Sequence, residues 1–440
     1  MKPPRLFLSR NVRGLTAALA CAAFLFALTL SAHAQTETAL YNLNGTTDGK
    51  YPFGTLTFDS SGNLYGTSLY GGDFTNCPSN GCGAVWEISP GSGGTWTETV
   101  LHTFAGGTDG ATPYAGLVAD SAGNLYGATS YGGNSHATQC HPQGCGVIFE
   151  LSHASGGGWT ETILHAFSGG RDGNGPWTSL IFDSAGNLYG STFAGGDLTG
   201  SNCAPYGCGV IFELSPTSTG WKETILHAFA GGNEGQGPFG TLLFDSAGNL
   251  YGTNTEAGYV DCSCGVVFKL APVTGGWKQT VLHTFTGPNG NDSQAGLIFD
   301  PAGNLYGTTA VGGERSGCDG SGCGVVFELS PTPSGPWTET KIHVFTEGNQ
   351  VDGFYPIGGL LRDSSGNFYG EANSGGTFGG VIFKVALDSG VWHYGLVFSF
   401  GSTGGEGPIG GLISDVSGSL YGTASIGGAN NAGVVFKITP

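Results

Sequence analysis

Short apolar runs alternate with clusters of glycine, serine, asparagine and aspartate along almost the whole chain, a spacing that predicts strands separated by tight turns. One stretch resolves into four such runs: 115–120 (AGLVAD), 124–129 (NLYGAT), 146–151 (GVIFEL) and 159–167 (WTETILHAF), termed strands a, b, c and d. Strand c is almost continuously apolar, as expected of a strand covered on both faces. No segment of the chain beyond its amino-terminal leader combines a sustained 3.6-residue period with helix caps, so the expected fold class is all-β.

The pattern repeats. Asn-Leu-Tyr-Gly begins at Asn63, Asn124, Asn187, Asn249 and Asn304, followed by Asn-Phe-Tyr-Gly at Asn367 and Ser-Leu-Tyr-Gly at Ser419. An Asp lies four residues before each copy (Asp59, Asp120, Asp183, Asp245, Asp300, Asp363, Asp415) and a Gly one residue before it. Asp-x-x-Gly-Asn between apolar runs predicts a hairpin in which Asp bonds its own backbone and Gly takes the left-handed position. Seven four-stranded units, covered on both faces, predict a seven-bladed β-propeller of antiparallel blades. The chain after residue 34 opens with a d-like run, 36–43, and ends on a c-like run, 433–440, with no d after it. The first run is therefore expected to complete the last blade, making residues 35–440 one domain.

The unit Gly-Leu-Ile-Phe-Asp-x-x-Gly-Asn-Leu-Tyr-Gly-Thr-Thr, then Gly-Val-Val-Phe-Glu-Leu-Ser-Pro, then Trp-Thr-Glu-Thr-x-Leu-His-x-Phe resembles the GloVer (Gloeo-Verruco) tandem repeat of exported bacterial proteins. The resemblance covers nearly all of the chain after the leader. It implies an extracytoplasmic or surface protein and no established catalytic activity. Members often carry a separate carboxy-terminal anchor, whereas this sequence closes on a repeat strand.

Residues 1–34 read as a secretory signal: Lys2, Arg5, Arg10 and Arg13, an apolar run over 15–30, and Ala32-His33-Ala34 before the expected cleavage. Cys21 lies inside the apolar run, which disfavours a lipoprotein reading. The mature protein is expected to be secreted or held at the cell surface or periplasm, with no transmembrane segment. Removing those four positive charges takes the net charge from −18 to −22, which disfavours nucleic acid and anionic membranes as partners. Only 10% of residues are charged while 39% are hydrophobic, so charge-driven disorder is excluded. The 84 glycines lack a Gly-X-Y period, which excludes collagen.

Ten cysteines remain after the leader, grouped as Cys77/Cys82, Cys140/Cys145, Cys203/Cys208, Cys262/Cys264 and Cys318/Cys323. Each pair falls in the b–c loop of one of the first five units. Even number, pairwise grouping and export favour five local disulfides over zinc, which needs four converging ligands. The Cys262/Cys264 ring is the tightest.

Recurrent residues supply the candidate chemistry. His102, His165, His227, His283 and His343 recur in strand d, one per blade, too far apart to share an ion, and packing is the favoured role; no metal ligand set is assigned. Trp96, Trp159, Trp221, Trp277, Trp337 and Trp392 open strand d as expected blade-packing residues. The d–a loop has the form Gly-Gly-x-Asp-Gly-x-x-Pro-aromatic, pairing Asp48 with Phe53, Asp109 with Tyr114, Asp172 with Trp177 and Glu234 with Phe239; Asp352, Glu406 and a displaced Asp292 supply acids elsewhere. In the plain reading Asp caps a turn and the aromatic plugs strand a. In the functional reading these eight residues bind a ligand, the acids meeting hydroxyls or Ca²⁺ and the rings stacking on a sugar. Topology places these loops and the cysteine loops on one face. No nucleophile elbow, zinc-protease helix or phosphate loop occurs, and Trp177, Arg171, Arg315 and Arg362 are the residues that break the sevenfold pattern. The expected function is a non-catalytic, monomeric binding propeller for an extracellular glycan or protein. A carbohydrate-active hydrolase or lyase on the same scaffold and a purely structural envelope protein are the alternatives.

Overall fold

The computed structural model describes residues 36–133, 140, 143–198, 203–256, 262, 264–314, 318–333, 336–347, 352–377, 379–401 and 404–439. The leader and Arg315 therefore lie outside the described residues. Seven blades form one ring, numbered here by their Asn/Ser-Leu/Phe-Tyr-Gly copies from Asn63 (blade 1) to Ser419 (blade 7). Blade 2 shows the plan: Val118–Ala119, Leu125–Thr129, Val147–His153 and Trp159–Ala166 lie side by side in that order, each antiparallel to the next. In blades 1, 4 and 7 strand a is split into two short segments, both pairing with strand b.

Blade 7 closes the ring as the sequence predicts. Thr36–Asn42 pairs antiparallel with Val434–Thr439, Thr36 opposite Thr439 and Asn42 opposite Val434. Beyond the strand, Leu43 N donates to Gly433 O at 3.1 Å and Asn430 Nδ2 donates to Leu43 O at 2.9 Å.

The core is divided among the seams between blades, one apolar cluster to each seam. The last Phe of strand d in one blade meets the Phe of strand c in the next edge to face: Phe104 with Phe149, Phe167 with Phe212, and Phe229 with Phe268, at 5.2–5.3 Å between centroids. All six rings are fully buried. Strand b carries Gly beneath that strand c ring for steric reasons: a Cβ on Gly127 would stand 2.5 Å from Phe149 Cζ. The strand d tryptophans pack on the preceding blade, Trp159 against Tyr65 and Trp221 against Tyr126, both at 6.3 Å.

The Asp-x-x-Gly-Asn turns form as read. Asp59 Oδ1 accepts from Ser61 N and Asn63 N, while Oδ2 accepts from Asn63 Nδ2 and Tyr65 Oη; Gly62 sits at φ +84°. Burial pushes the seven Asp carboxyls up, but these bonds outweigh it and hold all seven below the usual range, Asp415 at about 2.

Strand d has a feature the apolar pattern did not announce. In every blade one residue is inserted against strand c: Leu40, Leu101, Leu164, Leu226, Leu282, Ile342 or Val397. This β-bulge changes which neighbour the strand addresses. Ile163 packs into the seam with blade 1, whereas Leu164 packs into the seam with blade 3. His165 follows Leu164 toward blade 3, although Glu161, four residues earlier, faces blade 1.

Candidate functional site

Strand a of every blade lines a central channel of about 410 Å³. The ring nearest the d–a loops consists of Phe53, Tyr114, Trp177, Phe239, Gln294, Ile357 and Ile409, and two residues further along each strand come Thr55, Gly116, Ser179, Thr241, Gly296, Gly359 and Gly411. The channel is lopsided. Blades 1 to 4 contribute all four aromatic rings of the mouth and all three hydroxyls of the next ring, while blades 5 to 7 contribute an amide, two isoleucines and glycines.

The four mouth aromatics touch. Phe53 and Tyr114 lie 4.2 Å apart, Tyr114 and Trp177 stack at 5.9 Å, and Trp177 and Phe239 meet edge to face at 5.7 Å. Phe193 backs Trp177 in a 4.4 Å stack, which fixes the indole plane. Each mouth ring is half-buried.

The acids of the same loops go elsewhere. Asp109 Oδ2 accepts from Ala105 N at 2.6 Å and lies 3.4 Å from His102 Nε2; Asp172 accepts from Ser168 N and Oγ and lies 3.5 Å from His165 Nε2. Asp48, fully buried, accepts from Asn44 N and Tyr41 Oη, and Glu234 accepts from Ala230 N. All four carboxylates turn back along strand d into the seams, whereas Phe53, Tyr114, Trp177 and Phe239 turn to the axis. The loop glycines Gly110 and Gly173, at φ +100° and +111°, lie between acid and Pro where the chain changes direction.

Two of the loop acids stand outside the capping register: Asp292, displaced as the sequence indicates, and Glu406, which the sequence reading placed with the capping acids. Asp292 N donates to Cys264 O, the bond made by Thr112 to Cys82 and by Gly175 to Cys145, so Asp292 stands three residues past the capping position. That position holds Asn289, whose Oδ1 accepts from Thr286 N. Glu406 N belongs to a strand residue opposite Ile426, just before Gly407, which takes the same place as Gly175. Each of these two loops is one residue shorter than that of blade 3, which hid the shift of Glu406. Arg171 is exposed, and Arg362 lies over the Phe368 ring at 5.9 Å.

All five cysteine pairs are disulfides: Cys77–Cys82, Cys140–Cys145, Cys203–Cys208, Cys262–Cys264 and Cys318–Cys323. The second Cys of each pair presents its carbonyl to the segment entering the next blade, as in Thr112 N to Cys82 O at 2.7 Å and Tyr355 N to Cys323 O at 3.0 Å. Each staple thus holds a docking point for the following blade. Peptide mapping of non-reduced protein should recover these five links and none between blades; crossed links would refute the assignment.

The seams form a polar belt. His102 Nε2 lies 3.4 Å from Asp109 and 3.7 Å from Glu161 of the next blade, and His165 Nε2 lies 3.5 Å from Asp172 and 3.6 Å from Glu223. Burial and the neighbouring Asp109 carboxylate push Glu161 up to about 9; Asp109, although burial raises it, is brought to about 2 by the nearby His102 imidazole, the Glu161 carboxyl and the bond from Ala105 N. Burial likewise lifts Glu223 to about 7. The histidines do pack edge-on to Phe, as in His102 and Phe104 at 4.7 Å, but their carboxylate neighbours across the seam escaped the sequence reading because the bulge brings them together.

Glu371 is a further residue the sequence reading missed. It stands in strand b where the other blades carry Thr67, Ala128, Ser191, Thr253, Thr308 and Thr423, and aligning the seven copies column by column would have exposed it. Fully buried, its Oε2 accepts from Gly411 N at 2.8 Å while Oε1 has no hydrogen-bond partner among the described residues. Gly358 and Gly411 of the channel wall lie against it: a Cβ on Gly358 would approach Oε2 to 2.9 Å. Burial pushes its carboxyl up to about 8 against the opposing pull of the Gly411 bond.

The fold and its repeats define a seven-bladed propeller of internally repeated blades, five of them stapled by a disulfide. The chain belongs to the Gloeobacter/Verrucomicrobia repeat family, whose sequence model matches residues 22–202, 137–335 and 315–440. No curated protein matches it. Among solved structures it is similar to a protein of Thermus thermophilus provisionally assigned as an oxidoreductase (glucose dehydrogenase), with 13% identity, 92% of this chain and 100% of that chain covered and a TM-score of 0.44. It is also similar to a protein of unknown function from Dyadobacter fermentans, with 10% identity, the same coverage and a TM-score of 0.43. At these scores neither likeness bears on activity. Among the described residues no helix is long and apolar enough to cross a membrane.

Proposed function

We propose that the protein is an exported, non-catalytic binding propeller whose ligand, a neutral glycan, enters the channel mouth and stacks on the aromatic arc of blades 1 to 4. The observation that carries this reading is the convergence of Phe53, Tyr114, Trp177 and Phe239 at one end of the axis. Their flat faces, the hydroxyls of Thr55, Ser179 and Thr241 and the Gln294 amide are neutral groups that suit the apolar faces and hydroxyls of a sugar ring. Five disulfides support export, since such bonds persist in oxidising compartments. The acids Asp48, Asp109, Asp172 and Glu234 serve the reading indirectly, by shaping the loops from which the rings project.

A screen of neutral oligosaccharides and polysaccharides, run with and without Ca²⁺, tests it. A stacked ring is worth roughly 0.5–1.5 kcal/mol beyond burial, so Trp177→Ala should weaken a saccharide identified in the screen by about two- to tenfold. Asp172→Asn should leave that affinity unchanged. Saturable binding lost in Asp172→Asn but kept in Trp177→Ala would move the site to the seams; absence of saturable binding would favour a structural role.

A further inference from the structure

We propose that the seams between blades 1 and 2 and between blades 2 and 3 each bind one divalent first-row transition cation, on His102, Asp109 and Glu161 and on His165, Asp172 and Glu223. In each set one imidazole nitrogen and two carboxylate oxygens lie within 4.8 Å of one another. The separations from His Nε2 run from 3.4 to 3.7 Å, beyond the ordinary N–H···O range of about 2.7–3.2 Å. They match the edge of a tetrahedron around an ion with bonds of about 2.1 Å, an edge of about 3.4 Å.

The atoms that would meet the ion are otherwise unsatisfied. His102 Nε2, Glu161 Oε1, His165 Nε2 and Glu223 Oε1 are all buried and have no hydrogen-bond partner among the described residues, and the Glu161 side chain is only 10% exposed. Asp109 is oriented by Ala105 N and Asp172 by Ser168, the outer support that metal-ligating carboxylates need. A doubly charged ion would neutralise the two carboxylates of each seam. One imidazole with two carboxylates suits Zn²⁺ or Mn²⁺ better than Ca²⁺, which takes six to eight oxygens.

The remaining seams show what happens when the set is altered. At the seam of blades 4 and 5, Asn289 replaces the loop acid, and its Nδ2 sits 3.1 Å from His283 Nε2 and donates to Glu339 Oε2 at 2.7 Å. A neutral amide thus bridges the pair that an ion would bridge elsewhere. At the seam of blades 3 and 4, Gln279 replaces the glutamate and donates to Glu234 O. At the seam of blades 5 and 6, His343 Nε2 is 2.8 Å from Asp352 Oδ1, a direct hydrogen bond, and Tyr394 stacks on the imidazole at 4.0 Å where the glutamate would be. Only the first two of these five seams keep all three ligands.

The test uses full-length, disulfide-intact protein stripped with a chelator and dialysed against Zn²⁺ on the order of 10 µM, with bound metal counted. Glu161→Gln should bind one equivalent fewer than the unaltered protein, and the double variant Glu161→Gln/Glu223→Gln two fewer. Gln279 already occupies this position in blade 4, so both variants should fold, as circular dichroism would verify. Zn²⁺ should raise the melting temperature of the unaltered protein and leave that of the double variant unmoved. Equal zinc counts in the double variant and the unaltered protein, or no zinc bound by the unaltered protein, would overturn the proposal.

Discussion

Deleting residues 36–43 should turn the closed ring into an aggregating one with a large loss of stability. The eight residues supply the outer strand of blade 7, where Thr36–Asn42 pairs along Val434–Thr439, and they add Leu43 to the seam that holds Trp86. Without them Val434–Thr439 becomes an edge with free backbone groups, the template for pairing with another chain. The loss also opens the seam to blade 1, because Tyr41 no longer reaches Asp48 and Leu40 no longer packs in the cluster around Leu64. Size-exclusion chromatography and thermal unfolding give the readout. A truncated chain that elutes as the unaltered protein does, with an unchanged melting temperature, would contradict closure by this strand.

The second large effect concerns pH. Glu371 has a folded-state pKa of about 8 because burial disfavours its charged form, whereas in the unfolded chain it titrates as an ordinary glutamate. Between the two values the folded protein holds a proton that the unfolded chain has released. Its contribution is therefore fully present below the unfolded pKa and is lost as pH rises toward about 8. At about 1.36 kcal/mol per unit, the loss is on the order of several kcal/mol. Glu371→Gln keeps an oxygen for Gly411 N and removes the charge, so its stability should lack this decline. Urea unfolding of both proteins at several pH values checks it: the variant should overtake the parent as pH climbs from about 4.5 toward about 8 and keep that lead above it. Parallel profiles would show that Glu371 is not a neutral buried acid.

How far the sequence revealed this molecule depended on whether a feature was local. The Asp-x-x-Gly-Asn turns are complete within seven residues, so Asp59, Gly62 and Asn63 could be assigned their roles directly. Closure was legible because an orphan d strand and an orphan c strand imply one another. The strand d bulge was not. It is a backbone insertion at Leu164 marked by no glycine or proline, and alternation alone puts His165 on the side of Glu161. Proximity along the chain also misled: Asp172 and Trp177 are five residues apart, yet a reversal at Gly173 sends one to a seam and the other to the axis. Glu371 was visible all along, but only by comparing equivalent positions between repeats.

The bulge has a further consequence for how such a ring could arise and be rebuilt. Because it turns the end of strand d to the opposite side, a blade such as blade 2 shows a carboxylate, Glu161, toward the blade before it and an imidazole, His165, toward the blade after it. Such a unit is polar, like a link with a hook at one end and an eye at the other, and mates head to tail with a copy of itself. Duplication of one blade would therefore create a compatible joint without new mutations, and a gene encoding only copies of blade 2 would assemble in one direction around the circle.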